Sequence, residues 1–257
     1  MVNYLYHYTS VETLALILKN KTIRFSNLAS VDDLEEQGTE DFGDFGRYCF
    51  VSCWTKDSEE SIPLWNMYTP DMTGVRIRLP EHPFDTEILP ANNTVVKEDI
   101  TYNKGLLALQ EKYEVIFMPY QAQLISVTYT EDSTLLKPNI VINSGHNFTL
   151  NTGNIGKFKR TSWSFQKEYR YKLHVLPFAL KELELMLRQG NHQIIEKLQN
   201  YNLSFNYIDL YLKDDFLEEM EILCGPKVSE AQKIIIESLV EKYNPKANIK
   251  NSNLLIR

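Results

Sequence analysis

Cysteine is scarce in this chain. Three residues in 257, Cys49, Cys53 and Cys224, form an odd set without a repeating pattern, which excludes a disulfide framework. Cys49 and Cys53 have no histidine or second cysteine pair nearby, so no zinc site is expected and reduced core thiols are. No apolar stretch approaches the roughly 20 residues that cross a bilayer, so no membrane partner is expected. No basic region followed by an apolar run opens the chain, which is therefore expected to be soluble and cytoplasmic. Positive charge is also short. Lys and Arg number 27 against 34 Asp and Glu, giving a net charge of −7. Such a balance argues against non-specific nucleic-acid binding, which rests on neutralising phosphates. One local basic cluster remains: Lys157, Lys159, Arg160, Lys167, Arg170 and Lys172. Walker A loops, dinucleotide-binding glycine motifs, zincin motifs and nucleophile elbows are missing, as are internal repeats.

What is present is an ordinary globular composition, 43% hydrophobic and 24% charged, enough to build a full core. Tyr4 to Tyr8 reads as a strand with His7 at its centre. Thr9 and Glu12 have capping-box spacing, so Thr9 is expected as the N-cap of a following helix, with Ser10 the rival choice. Leu14, Ile17 and Leu18 mark that helix's apolar face. Further strands are expected within 21–29 and at Tyr48–Trp54, Gly74–Leu79, Gln123–Tyr129, Tyr169–Val175 and Tyr207–Leu212. In the third of these, Val75, Ile77 and Leu79 alternate with Arg76 and Arg78, which predicts a half-buried strand. Helices are expected at Ser61–Tyr68, around 104–114, near 179–188 and 191–199, and from the Ser229/Gln232 capping box to about Tyr243. Residues 30–46 read as an exposed acidic loop or irregular helix, and 131–156 as polar loops. Leu217 to Cys224 is mixed, and the tail from Asn248 is a strand or extended arm. The elements lack a regular βαβ rhythm, so the fold class is α+β with a mixed, largely antiparallel sheet and flanking helices.

Four segments could carry chemistry. In Tyr6-His7-Tyr8-Thr9, a neutral imidazole can bond a ribose hydroxyl and a tyrosine can stack on a ring; a half-buried structural histidine is the plainer reading. In Tyr48 to Thr55, Ser52 shares a strand face with Phe50 and Trp54, which suits either the floor of a ring-binding slot or a packed strand. Gln166 and Glu168, two apart in an extended segment, place an amide and a carboxylate on one side. They could serve a cationic sugar transition state, or form a solvated pair with Glu168 bonded to Arg170. Asp32, Asp33, Glu35 and Glu36 could bind a divalent cation, as in a nuclease, but read better as a solvated acidic loop. Leu183, Ile194, Ile195, Leu198, Ile235 and Leu239 are expected on core faces, making 179–243 scaffold.

Taken in order, Leu5-Tyr6-His7-Tyr8-Thr9-Ser10, Leu18 through Ile23-Arg24-Phe25-Ser26-Asn27, and Asp33-Leu34-Glu35 resemble the opening of the bacterial DUF2971 family. So do Val51-Ser52-Cys53-Trp54, Leu64-Trp65-Asn66-Met67-Tyr68 and Gly74-Val75. Lys159, Trp163, Glu168-Tyr169-Arg170, Ile222 through Lys227, and Ser252 continue the likeness. It spans nearly the whole chain and implies one domain, residues 1–257. The family's plan is similar to that of ADP-ribosyltransferases, which bind NAD in a split, mostly antiparallel β fold. The resemblance implies NAD as substrate and a macromolecular acceptor, protein or nucleic acid, in a phage-defence or toxin setting. It makes Glu168 the catalytic acid with Gln166 its partner, without a metal. His7, Tyr8 and Thr9 would lie at the ribose, and Ser52 and Trp54 at the nicotinamide. The chain departs from the family pattern at Asp32, where Asn is usual, at Leu34, where Pro is usual, and at Gln166, where Glu is common. The competing expectation is a non-catalytic nucleotide- or protein-binding module of the same fold.

Overall fold

A computed structural model describes residues 3–91, 98–144, 147–189 and 192–256. Its frame is one nine-stranded sheet. The chain enters through β1 (Tyr4–Thr9), α1 (Val11–Asn20), β2 (Thr22–Asn27), β3 (Cys49–Thr55), α2 (Ile62–Tyr68) and β4 (Val75–Pro80). A helix α3 (Leu106–Tyr113) leads to β5 (Ile116–Ser126), and β6 (Glu168–Leu176) follows. The rest comprises α4 (Leu180–Gln189), α5 (His192–Asn200), β7 (Tyr207–Tyr211), β8 (Glu221–Cys224), α6 (Glu230–Tyr243) and β9 (Asn248–Asn251). The β8–β9 pair is parallel; the other pairings in this sheet are antiparallel. The expected α+β class with a mixed, largely antiparallel sheet and flanking helices is thus what forms.

The sheet divides at β3. One edge of β3 pairs with β6 along its whole length, from Glu168 opposite Thr55 to His174 opposite Cys49. The other edge pairs with β2 at Phe50 and Val51, and with β1 at Thr55. Ser52, Cys53 and Trp54 lie in the gap, where β1 and β2 part. Into this gap reaches His7, whose Nδ1 lies 2.8 Å from the Cys53 carbonyl oxygen and takes the place of a ladder bond.

Alternation along the strands assigns two unlike faces. Leu5, Phe50, Trp54, Ile77, Tyr171 and Leu173 point one way and join Leu14, Ile17 and Leu18 of α1 and Ile236 and Val240 of α6 in the main core. The opposite face carries Arg76 over the Tyr6 ring and Arg78 over the Tyr4 ring. It also carries a smaller core where Cys49, Val51 and Ile116 meet Ile194 and Leu198 of α5.

Several boundaries differ from the sequence reading. Ser10, not Thr9, caps α1: its Oγ accepts from the Thr13 amide at 3.1 Å, while Thr9 stays in the β1 ladder opposite Val75. The strand expected from Gln123 begins at Ile116 and carries a register shift in its ladder with β6. A separate short strand, Thr128–Tyr129, pairs with Phe158–Lys159. The polar stretch 131–156 holds a helical turn, Ser133–Leu136, and a hairpin of Val141–Ser144 with Asn147–Leu150. The mixed stretch before Gly225 resolves into a turn, Asp214–Glu218, and β8. Arg76 is buried as well as its apolar neighbours, so β4 is covered on both faces over Val75–Leu79 except at Arg78. On α6 the inward residues are Ile236 and Val240; Ile235 faces outward, half exposed. Among the described residues no helix is long and apolar enough to cross a membrane.

Candidate functional site

A cavity of about 260 Å³ opens at the split in the sheet, with lining residues from both faces. β1 and α2 supply Tyr6, Tyr8, Leu64 and Tyr68; β2 and the loop after it supply Arg24, Ser26, Ser30 and Asp32. The free stretch of β3 contributes Ser52, Cys53 and Trp54, and its depth is formed by Lys159, Gln166, Glu168 and Arg170.

That depth is an ion network. Lys159 Nζ lies 2.9 Å from Gln166 Oε1, 2.9 Å from Glu168 Oε2 and 3.0 Å from Glu36 Oε1. Arg170 Nε donates to Glu168 Oε1 at 2.8 Å, and its Nη1 to Glu36 and to the Gly156 carbonyl. The φ of +67° at Gly156, a conformation natural to glycine, sits at this contact. All four charged side chains are at most 6% exposed. Two cations balance two carboxylates, which is how such a group tolerates burial. Burial by itself raises the Glu168 pKa, but the charges of Arg170 and Lys159 outweigh it and hold the carboxyl below its usual range. Burial likewise opposes the Arg170 charge, and Glu168 and Glu36 reverse the effect. Burial, then the Glu168 charge, pushes the Cys53 thiol well up, so it remains protonated.

Six of the seven residues singled out from sequence, His7, Tyr8, Ser52, Trp54, Gln166 and Glu168, border this one cavity. Thr9 does not; it is buried at the end of β1. Burial keeps His7 neutral against the opposing pull of its Cys53 bond. A carbonyl can only accept, so the proton sits on Nδ1, which leaves Nε2 as an acceptor without a protein partner among the described residues. The His7 ring lies 5.0 Å from Trp54 between centroids. Ser52 Oγ accepts from Trp54 Nε1 at 3.0 Å, confirming their common strand face. Tyr8 packs edge-on to Trp65 at 4.8 Å and takes the Ser61 amide on its hydroxyl.

Gln166 and Glu168 do not share one extended segment. Gln166 ends a 3₁₀ turn, Thr161–Gln166, and Lys167 turns left-handed at φ 44° before β6 begins. Both side chains nevertheless reach Lys159, and both are buried, not solvated. The acidic loop differs in the same way. Glu36 is buried against Arg170, Asp33 caps a 3₁₀ turn at the Glu35 amide, and Glu35 pairs with Arg160. Among the described residues no group of three or more His, Cys, Asp or Glu side chains is placed to hold a metal ion. Most of the basic cluster is consumed internally: besides Lys159 and Arg170, Arg160 pairs with Glu35, Lys167 pairs with Asp57, and Lys172 Nζ donates to the Gly153 and Ile155 carbonyls.

Sequence reasoning missed Tyr68, read Glu36 as part of a solvated acidic loop and Lys159 as part of a local basic cluster, but did offer Arg170 as the partner of Glu168, the bond that forms. One signal was available. Glu168, Arg170, Lys172 and His174 alternate with Tyr169, Tyr171, Leu173 and Val175, so a polar face runs along a strand that is central and buried on both sides. Comparison with protein-family models, curated proteins and solved structures finds no match to this chain.

Proposed function

We propose that the cavity binds NAD and that the protein is an ADP-ribosyltransferase-like enzyme of the DUF2971 plan, acting on a macromolecular acceptor. The observation that carries this reading is convergence: three distant segments bring His7 and Tyr8, Ser52 and Trp54, and Gln166 and Glu168 to one cavity. In the proposed reaction the bond between ribose C1′ and the nicotinamide nitrogen breaks, and its electron pair leaves with nicotinamide. The cationic ribose carbon then takes a lone pair from the acceptor, which releases a proton. Glu168, kept ionised by Arg170 and Lys159, faces the developing positive charge. His7 Nε2 accepts from a ribose hydroxyl, and Trp54 and Tyr8 flank the ring.

One observation favours a second reading, a binding module without turnover: both Glu168 oxygens already carry bonds, from Arg170 and Lys159. Saturation binding of NAD, with nicotinamide release followed in the same sample, separates the two. Glu168→Gln and Glu36→Gln each remove one carboxylate from the same network, but only Glu168 borders the cavity. The transferase reading expects release to fall by about a hundredfold or more in Glu168→Gln, and much less in Glu36→Gln at similar loss of stability. Equal losses in both variants, or binding without release in the wild type, would end it.

A further inference from the structure

Tyr68 closes α2 and borders the cavity, and its hydroxyl is hydrogen-bonded in one direction. The chain of reasoning starts at Lys159. An ammonium can only donate, so the Gln166 atom 2.9 Å from Lys159 Nζ is the amide oxygen. The Gln166 Nε2 therefore points the other way, and it donates to the Tyr68 oxygen at 2.6 Å. With that lone pair engaged, the phenolic proton must go elsewhere, and among the described residues the Tyr68 hydroxyl has no acceptor. Burial first, helped by the negative charges of Asp32 and Glu168, raises the Tyr68 pKa, so the proton stays on the phenol.

We propose that Gln166 is a positioning residue that fixes Tyr68 as a hydrogen-bond donor into the cavity, which selects ring ligands bearing an acceptor group such as a carboxamide. The ring is implied by the lining, which includes Tyr6, Tyr8, Trp54 and Leu64. A glutamate at position 166 would reverse the arrangement. Its second oxygen would accept from Tyr68, turning the donor inward and away from any ligand. The choice of Gln over Glu therefore sets what the cavity recognises. This inference rests on the same site as the NAD reading and deepens it, because the nicotinamide ring carries such a carboxamide.

The test uses two soluble cations that differ by the carboxamide alone, 1-methylnicotinamide and 1-methylpyridinium, titrated calorimetrically against the full chain. The wild type is expected to prefer 1-methylnicotinamide by about tenfold, the equivalent of one well-made hydrogen bond. Tyr68→Phe and Gln166→Glu should both bring the ratio to about one; the two cations carry the same charge, so the charge that Gln166→Glu adds acts on both and cancels in the ratio. Gln166→Met removes the amide without offering an acceptor, so it should keep most of the preference. A merely structural role for Gln166 would make its two variants behave alike, and that result overturns the proposal. So does a ratio that survives Tyr68→Phe, or a wild type that binds neither cation at millimolar concentration. The NAD reading fails separately. If the ratios behave as expected while NAD is neither bound nor cleaved, that reading falls and the donor assignment stands. If NAD is cleaved by a wild type that shows no preference, the donor assignment falls alone.

Discussion

The two faces of β3 and β6 are made by alternate residues of the same strands, yet they are held by opposite physics. On one face Phe50, Trp54, Tyr171 and Leu173 join the core under α1 and α6, and water exclusion is the main force that stabilises them. On the other, Glu168 and Arg170 stand among Lys159 and Glu36, with every charge matched. An apolar face tolerates change in proportion to the volume lost. An ionic face does not, because removing one member strands its partner without water. The cavity draws on both faces at the split. Glu168 and Arg170 border it from the ionic face, and Ser52 and Trp54 from the strand face of Phe50, so part of the candidate chemistry sits on the less forgiving face.

The sharpest way to break this contrast is Arg170→Met. It leaves Glu36 and Glu168 with Lys159 alone, and should cost about 3–5 kcal/mol of stability in urea unfolding. Pairing it with Glu36→Gln should recover part of that loss, since fewer uncompensated charges remain; a simple sum of the two single effects would show that the network is not coupled. On the apolar face Ile77→Ala, at a fully buried site, should cost about 2–4 kcal/mol. In this case no partner substitution on the ionic face should restore it.

Acid sharpens the comparison further. Burial, helped by the Lys172 charge, lowers the His174 pKa to about 3, against a bond to the Met118 backbone. The unfolded chain protonates this histidine near pH 6.5. Between those values the unfolded state binds more protons, so stability falls as pH drops from about 6.5 towards 3. His174→Asn should flatten the unfolding midpoint between pH 7.5 and 5, while Ile77→Ala should shift it evenly. Glu168 acts at lower pH: its depressed pKa gives stability present above about pH 4.3 and lost as pH falls through the folded value. The smallest expected effect belongs to neither face. Ser10→Ala should cost about 1 kcal/mol through loss of the α1 cap, and a null result would return that role to Thr9.

Much of the frame was legible. The capping box at Ser229 and Gln232 forms as read, with both reciprocal bonds, because a local motif needs no distant partner. The apolar rows Leu14, Ile17, Leu18 and Val75, Ile77, Leu79 also fall inside as their periods require. Where reading failed, a distant contact intervened. Glu36 looked solvated because its partner, Arg170, lies 134 positions away in the chain.

Sequence alone determined the class of fold, the positions of most strands and helices, and three short segments rich in groups able to bind a nucleotide. Each of these follows from periodicity and side-chain type, which are local properties. Tertiary structure alone decided that the segments meet, that β1 and β2 part beside Cys53, and that Lys159 orients Gln166 and so aims the proton of Tyr68. Those facts depend on which charges are buried together, and burial is a property of the assembled chain.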